Sequence, residues 1–214
     1  MDHLHPFPPD FRLILASQSP RRHSLLRDIG VPFTVVPSGA DEATTGGDAR
    51  ELARSNAEAK VRGASLPSSL EPGAFVLGTD TLVTVDRVVM GKPASAGEAR
   101  GMLAALVGRT HQVVSGVALL RRPGRGPIGR PEAFRAGVAV TEVTFESLDR
   151  GQMEAYLASG EWKGKAGAYA VQGLAGVFVS GVRGEYSNVV GLPLCLLFGL
   201  FRDLGFDLLR REWL

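Results

Sequence analysis

The stretch SQSPRRHSLL, Ser17 to Leu26, opens on SQSPRR, which gathers two hydroxyls and two guanidiniums within a few residues. Pro20 after Ser19 reads as a helix start, with serine as N-cap and proline at the first helical position. Arg21 and Arg22 then fall in the first turn, at the positive end of the helix dipole. A cation there is disfavoured by roughly 0.3–1 kcal/mol. An anion would reverse that cost. Helix N–H groups, hydroxyls and planar guanidinium forks together suit phosphate oxygens. The plain alternative is a solvated basic turn. The two arginines project about 100° apart on a helix of roughly 3.6 residues per turn, so both need not meet one ligand.

Asp80, in GTDT, lies inside an apolar, β-rich run where aspartate is disfavoured. A carboxylate in that place must be paired, hydrogen-bonded or metal-bound. It could hold Mg²⁺ or act as general base on water; otherwise it caps a turn at a strand end. Asp41 and Glu42 follow a strand, and Glu42 could join Asp80 around a hard cation that bridges phosphate oxygens. An ordinary acidic loop is the alternative. Lys60 late on a helix, Lys92 in GKP and Lys165 in GKAGAY could each neutralise phosphate or simply face solvent. Gln172 in AYAVQG offers an amide donor and acceptor, which can match the carbonyl and N3–H edge of uracil or thymine. It could equally satisfy backbone at a strand end.

The elements that must place these groups alternate along the chain. RLILAS is a buried strand feeding a helix from Ser19 to about Asp28, which Gly30 stops. Phe33–Gly39 reads as a second strand. Asp48 with Glu51 resembles a capping box opening a helix to about Val61. AFVLGTDTLVTVD is a long strand. A helix follows in GKPASAGEARGMLAALVGR, then strands in HQVVSGVALLRR and FRAGVAVTEVTFESL around a glycine- and proline-rich hairpin loop near 121–133. A helix from about Asp149 to Ala158, a strand at VFVSGV and a last helix from about Pro193 to Leu209 complete the order. Mixed strands and helices imply α/β or α+β with a mixed sheet.

Composition sets outer bounds. The chain has 214 residues, 44% hydrophobic and 21% charged, as a foldable domain does. A net charge of +2 excludes a general nucleic-acid binder, so any basic site is local. The single cysteine, Cys195, excludes an internal disulfide or a cysteine zinc cage. LPLCLLFGLF is too short to span a membrane. MDHLHPFPPD lacks signal-peptide features and reads as a flexible tail over residues 1–10, with one domain over 11–214 and a cytoplasmic location. There is no GxxxxGK[ST], HExxH or GxSxG, and the four histidines have no convincing metal partners.

LASQSPRRHSLL, the ADE loop, Lys60, GTDTLV, GKP, GKAGAYAVQG and NVVGLPL stand in order. From about Leu13 to Leu197 the chain resembles the Maf (septum-formation-inhibitor-like) family of nucleotide pyrophosphatases. The resemblance implies an α/β fold with a mixed, elongated central sheet flanked by helices. It implies two lobes around an active-site cleft, similar to the inosine triphosphate pyrophosphatases. It implies hydrolysis of a nucleoside triphosphate to the monophosphate and pyrophosphate with a divalent cation, Mg²⁺ or Mn²⁺. By the family's pattern Asp80 is the general base, and Asp80 and Glu42 attend the metal. Ser17, Ser19, Arg21, Arg22, Lys60 and Lys92 bind phosphate. Arg21, Thr81 and Gln172 set specificity and look like the dTTP/UTP subgroup. The resemblance also suggests a homodimer, with no nucleic-acid or membrane partner. Rival readings are the same chemistry on 7-methyl-GTP or a modified pyrimidine, and a non-catalytic nucleotide-sensing regulator of cell division. The last must explain acidic residues beside a phosphate site, where they repel the ligand unless a metal intervenes.

Overall fold

Phe75–Val85 (β3) is the strand around which the other elements are arranged. It is part of a seven-stranded mixed sheet. The computed structural model describes residues 5–43, 47–67, 72–124 and 131–214. Parts of three loops singled out in the sequence, residues 44–46, 68–71 and 125–130, lie outside the described residues, as do residues 1–4 of the tail. In chain order the earlier elements are β1 (Leu13–Leu15), α1 (Pro20–Asp28), β2 (Thr34–Val35) and α2 (Ala49–Arg62). After β3 come β4 (Val88–Met90), α3 (Ala96–Leu106), β5 (Thr110–Arg121), β6 (Ala133–Phe145) and α4 (Arg150–Ser159). The chain closes with β7 (Val179–Arg183), α5 (Tyr186–Val190), α6 (Leu194–Asp203), β8 (Phe206–Asp207) and β9 (Glu212–Trp213).

The strand order is β2-β1-β3-β5-β6-β7, with β4 also on β3. β1 runs parallel to β2 and β3, and the other pairings are antiparallel. The mixed sheet flanked by helices is therefore the architecture expected from the sequence. Side chains alternate across β3. Phe75 and Leu77 meet Leu26, Leu197 and Phe201 in one cluster, while Val83 and Val85 join Leu103, Leu106 and Phe145 in another. On the opposite face Val76 and Leu82 pack beneath α2, with Ala53, Ala57 and Val61. Glycine makes that helix contact close. An ideal Cβ on Gly78 would fall 2.3 Å from the Ala57 carbonyl oxygen, and one on Gly116 would fall 2.1 Å from that of Ala53.

Several element boundaries differ from the sequence reading. The strand expected over Phe33–Gly39 shortens to Thr34–Val35, because Pro37 brings no N–H to a ladder, and Ser38 makes only an isolated bridge to Ala64. Ser19 and Asp48 occupy the N-cap positions of α1 and α2, but neither side chain bonds the first turn, so the box expected from Asp48 and Glu51 is not formed. The real capping box is Asp149 with Gln152 on α4. The last helix stops at Asp203, short of Leu209, where Gly205 turns the chain at φ +83°. Within the segment read as a tail, Phe7 stacks on Phe206 and the Arg211 guanidinium lies 4.7 Å from its ring centroid.

Candidate active site

β3 changes neighbours part-way along one edge. Phe75–Leu77 pair with β1, Val83–Val85 pair with β4, and the stretch between has no strand partner on that edge among the described residues. Asp80 and Thr81 stand in this gap, where connections diverge and a crevice opens. A cavity of about 500 Å³ occupies it. Its walls include Ser17, Ser19, Arg21, Arg22, Glu42, Lys60, Asp80, Thr81, Lys92 and Gln172, so the residues implied by the family's pattern line one space. Asp41 and Lys165 are not among the lining residues.

Asp80 points toward α2 and is 4% exposed. Its Oδ1 accepts from Lys60 Nζ at 2.8 Å, and its Oδ2 accepts from Asn56 Nδ2 at 2.8 Å. Lys60 and Asn56 are one helical turn apart, which sets both on the face that meets β3. Lys60 also donates to the Thr79 carbonyl at 3.0 Å and lies 2.7 Å from Glu42 Oε1. Lys92 Nζ approaches Glu42 Oε2 at 3.0 Å. Burial pushes the Glu42 carboxyl up, but the hydrogen bond and charge of Lys60, then Lys92, outweigh it and hold it at about 2. Asn56 also anchors the loop before α2, accepting from the Ala43 N–H at 3.0 Å and donating to the Ala43 carbonyl at 2.8 Å.

Thr81 points the other way and meets Arg22. That guanidinium donates through Nε to the Gly191 carbonyl at 2.9 Å, through Nη1 to Ser17 Oγ at 2.9 Å and through Nη2 to Thr81 Oγ1 at 3.2 Å. Burial lowers its pKa, countered by the charges of Asp80 and Glu42. Thr81 Oγ1 also shares a hydrogen bond with Ser115 Oγ at 2.9 Å. Arg21 differs from its neighbour: its guanidinium has no hydrogen bond or ion pair to any described residue, and burial lowers its pKa. The Gln172 amide likewise has no hydrogen bond to a described residue. Val83, Val113, Tyr169 and Val189 give the remaining wall an apolar surface.

Residues 12–204 match the family described as Maf-like protein. The chain belongs to the Maf-like protein family. A Maf relative from Anaeromyxobacter sp. (strain Fw109-5), named dTTP/UTP pyrophosphatase, is 45% identical over 199 residues, covering 92% of each chain. One of the same name from Moorella thermoacetica is 45% identical over 203 residues, covering 94% of this chain and 98% of its own. Among solved structures, a HAM1 protein from Coxiella burnetii gives a TM-score of 0.40 at 19% identity, covering 74% of this chain and 86% of that one. That likeness is too slight to carry an argument.

In this Maf chain the sequence reading passed over Asn56 and Ser115. Asn56 was legible as a polar residue one turn before Lys60, on a helix stripe otherwise made of Leu52, Ala53, Ala57 and Val61. Ser115 is opposite Thr81 in the β3–β5 register, a relationship no local pattern reveals.

Proposed function

We propose that this protein hydrolyses dTTP and UTP to the nucleoside monophosphate and pyrophosphate. One observation carries the reading: a single cavity joins a buried carboxylate and several cations to an apolar wall and a glutamine amide that has no partner among the described residues. The names of its Maf relatives support the choice of nucleotide.

Asp80 and Glu42 supply hard oxygen donors but, among the described residues, no cluster of three metal-ligating side chains exists. That donor set fits Mg²⁺ or Mn²⁺, which take one or two carboxylates and complete their shell with substrate phosphates and water. Asp80 and Glu42 would hold the cation, which supplies neutralisation of phosphate charge and Lewis acidity.

The chain's own groups do the rest. Asp80 accepts a proton from the attacking water at a carboxylate oxygen. The water oxygen bonds to the α-phosphorus as the bond to the bridging oxygen breaks, and the electron pair leaves on pyrophosphate. Arg21, Lys60 and Lys92 stabilise the charge that develops there. Arg22 has three of its five N–H groups on protein acceptors, and presents Ser17 and Thr81 to the site. Gln172 reads the base edge. Cytoplasmic location, expected from the sequence, and a homodimer, implied by the resemblance, belong to the same proposal.

The test is pyrophosphate release from dTTP, UTP, CTP, GTP, ITP and 7-methyl-GTP with Mg²⁺. Selective turnover of dTTP and UTP is expected. Turnover of another base keeps the phosphate site and overturns the reading of Gln172. Tight binding without product overturns the enzyme.

A further inference from the structure

The segment that carries Gln172 is held at both ends by α4 and the residue just past it. Glu161 follows Gly160, which ends α4 in the left-handed region at φ +70°. Glu161 Oε2 accepts from the Leu174 N–H at 2.7 Å, and Oε1 accepts from the Ala175 N–H at 3.1 Å. Tyr156 of α4 reaches the same carboxylate at 3.2 Å and the Ala168 carbonyl at 3.1 Å. Residues 169–173, Gln172 among them, thus run between two tethers. Gly173 completes the clasp. A Cβ there would fall 2.1 Å from Glu161 Oε2, so the carboxylate fills the space a side chain would need.

The clasp matters because of what an amide is. Rotated by half a turn, a glutamine exchanges its donor and acceptor. Uracil presents a carbonyl and an N3–H where cytosine presents an amino group and a bare N3. An amide free to shift and turn accepts both. Discrimination requires that its reach and approach be fixed by the structure behind it.

We infer that Glu161 is a positioning residue for base selection: its two bonds to the Leu174 and Ala175 amides set the place of Gln172. It acts through the loop and does not touch the nucleotide. The inference rests on Gln172 as the base reader.

The test compares kcat/KM for UTP and CTP, by pyrophosphate release, in the full chain and in Gln172→Ala, Glu161→Ala, Glu161→Gln, Gly173→Ala and the Glu161→Ala/Gly173→Ala double variant. Glu161→Ala is expected to lower the preference for UTP about 10- to 100-fold. The loss should lie in KM for UTP, and hydrogen exchange at the Leu174 and Ala175 amides should quicken. Glu161→Gln keeps one acceptor and should fall between. Gly173→Ala should lose preference while Glu161 is present. The double variant should be no worse than Glu161→Ala, because the side chain it collides with is gone.

Unchanged preference in Glu161→Gln and Gly173→Ala overturns the inference even if Glu161→Ala does not fold. So do fully multiplicative losses in the double variant, or losses confined to kcat. A Gln172→Ala effect without a Glu161 effect overturns the clasp alone. If the wild-type chain turns over no UTP, or Gln172→Ala keeps full preference, the reading of the base site falls and takes the inference with it.

Discussion

Lys60 Nζ stands 2.8 Å from Asp80 Oδ1, with both side chains almost wholly buried. The same ammonium lies 2.7 Å from Glu42 Oε1, so one helix-borne cation ties a strand carboxylate to a loop carboxylate. Two carboxylates this close repel without a cation between them.

Lys60→Met should therefore harm both stability and chemistry. Removing one partner of a buried pair costs about 3–5 kcal/mol. Turnover should fall by about 10²–10³-fold, as when a preorganised electrostatic donor is deleted. Thermal unfolding with and without Mg²⁺ checks the first, with the cation expected to recover part of the loss. Pyrophosphate release checks the second.

Asp80→Asn separates chemistry from folding. The amide oxygen can still accept from Lys60, which keeps Glu42 as its charge partner, so the fold should persist at reduced stability, the new NH2 facing the Asn56 donor. Turnover should drop by at least about 10²-fold because the proton acceptor is gone. Undiminished turnover would remove Asp80 from the role of base.

The adjacent arginines should behave differently. Arg21→Ala deletes a guanidinium bound to no described residue, so KM should rise with little change in melting temperature. Arg22→Ala strips the Gly191 carbonyl, Ser17 and Thr81 of a buried donor, at about 1–3 kcal/mol for each group left unsatisfied. Melting curves and KM values distinguish the two, and equal behaviour would contradict the division.

Asn56→Ala should loosen Asp80 and the loop at Ala43 together. Turnover is expected to fall about 10- to 100-fold, the scale of a misplaced catalytic group. The Mg²⁺ concentration for half-maximal activity should rise, because Glu42 lies on the adjoining loop. An unaltered Mg²⁺ dependence would leave Asn56 a purely structural residue.

Acid stability should report His111. Its ring packs against Phe145 and Tyr169, bonds the Tyr169 hydroxyl at 2.9 Å, and is 2% exposed. Burial lowers its pKa from 6.5 to about 4. Between those values the unfolded chain binds the proton and the folded chain does not. The His111 contribution to stability is then constant above pH about 6.5 and declines as pH falls toward 4, by about 3 kcal/mol in all. Urea unfolding across that range checks it. In His111→Phe this part of the slope should vanish, at a pH-independent cost from the unpaired Tyr169 hydroxyl.

What the sequence disclosed depended on how strongly a residue violated its surroundings. Asp80 was conspicuous in an apolar strand, and SPRR set cations where a helix prefers anions. Asn56 gave a weaker signal, one polar residue in an apolar helix stripe, and only the approach of β3 gives it work. Gln172 stood out as a polar amide in an apolar segment, and Thr81 entered through family resemblance. The structure shows Thr81 acting on Arg22, a contact that spans 59 positions of sequence. Tyr186–Val190 was not foreseen as a helix because five residues are too few for a periodic signal. The end of α6 was missed because apolar residues continue past Gly205, while the backbone turns there.

The close seating of α2 on Gly78 and Gly116 has a consequence for how such a site can diversify. Asp80, Lys60 and Asn56 belong to a helix and a strand pressed together with no room for an added methyl group. The proposed reaction machinery is in effect cast into the frame. Gln172 stands on a separate, tethered segment, and Lys92 on the turn after β4. A lineage could alter the share of base preference that the proposal gives Gln172 by changing that segment, leaving the hydrolytic frame unchanged, whereas the share given to Thr81 lies on β3 within the frame. Substitutions beneath α2, in contrast, would disturb turnover of every nucleotide at once.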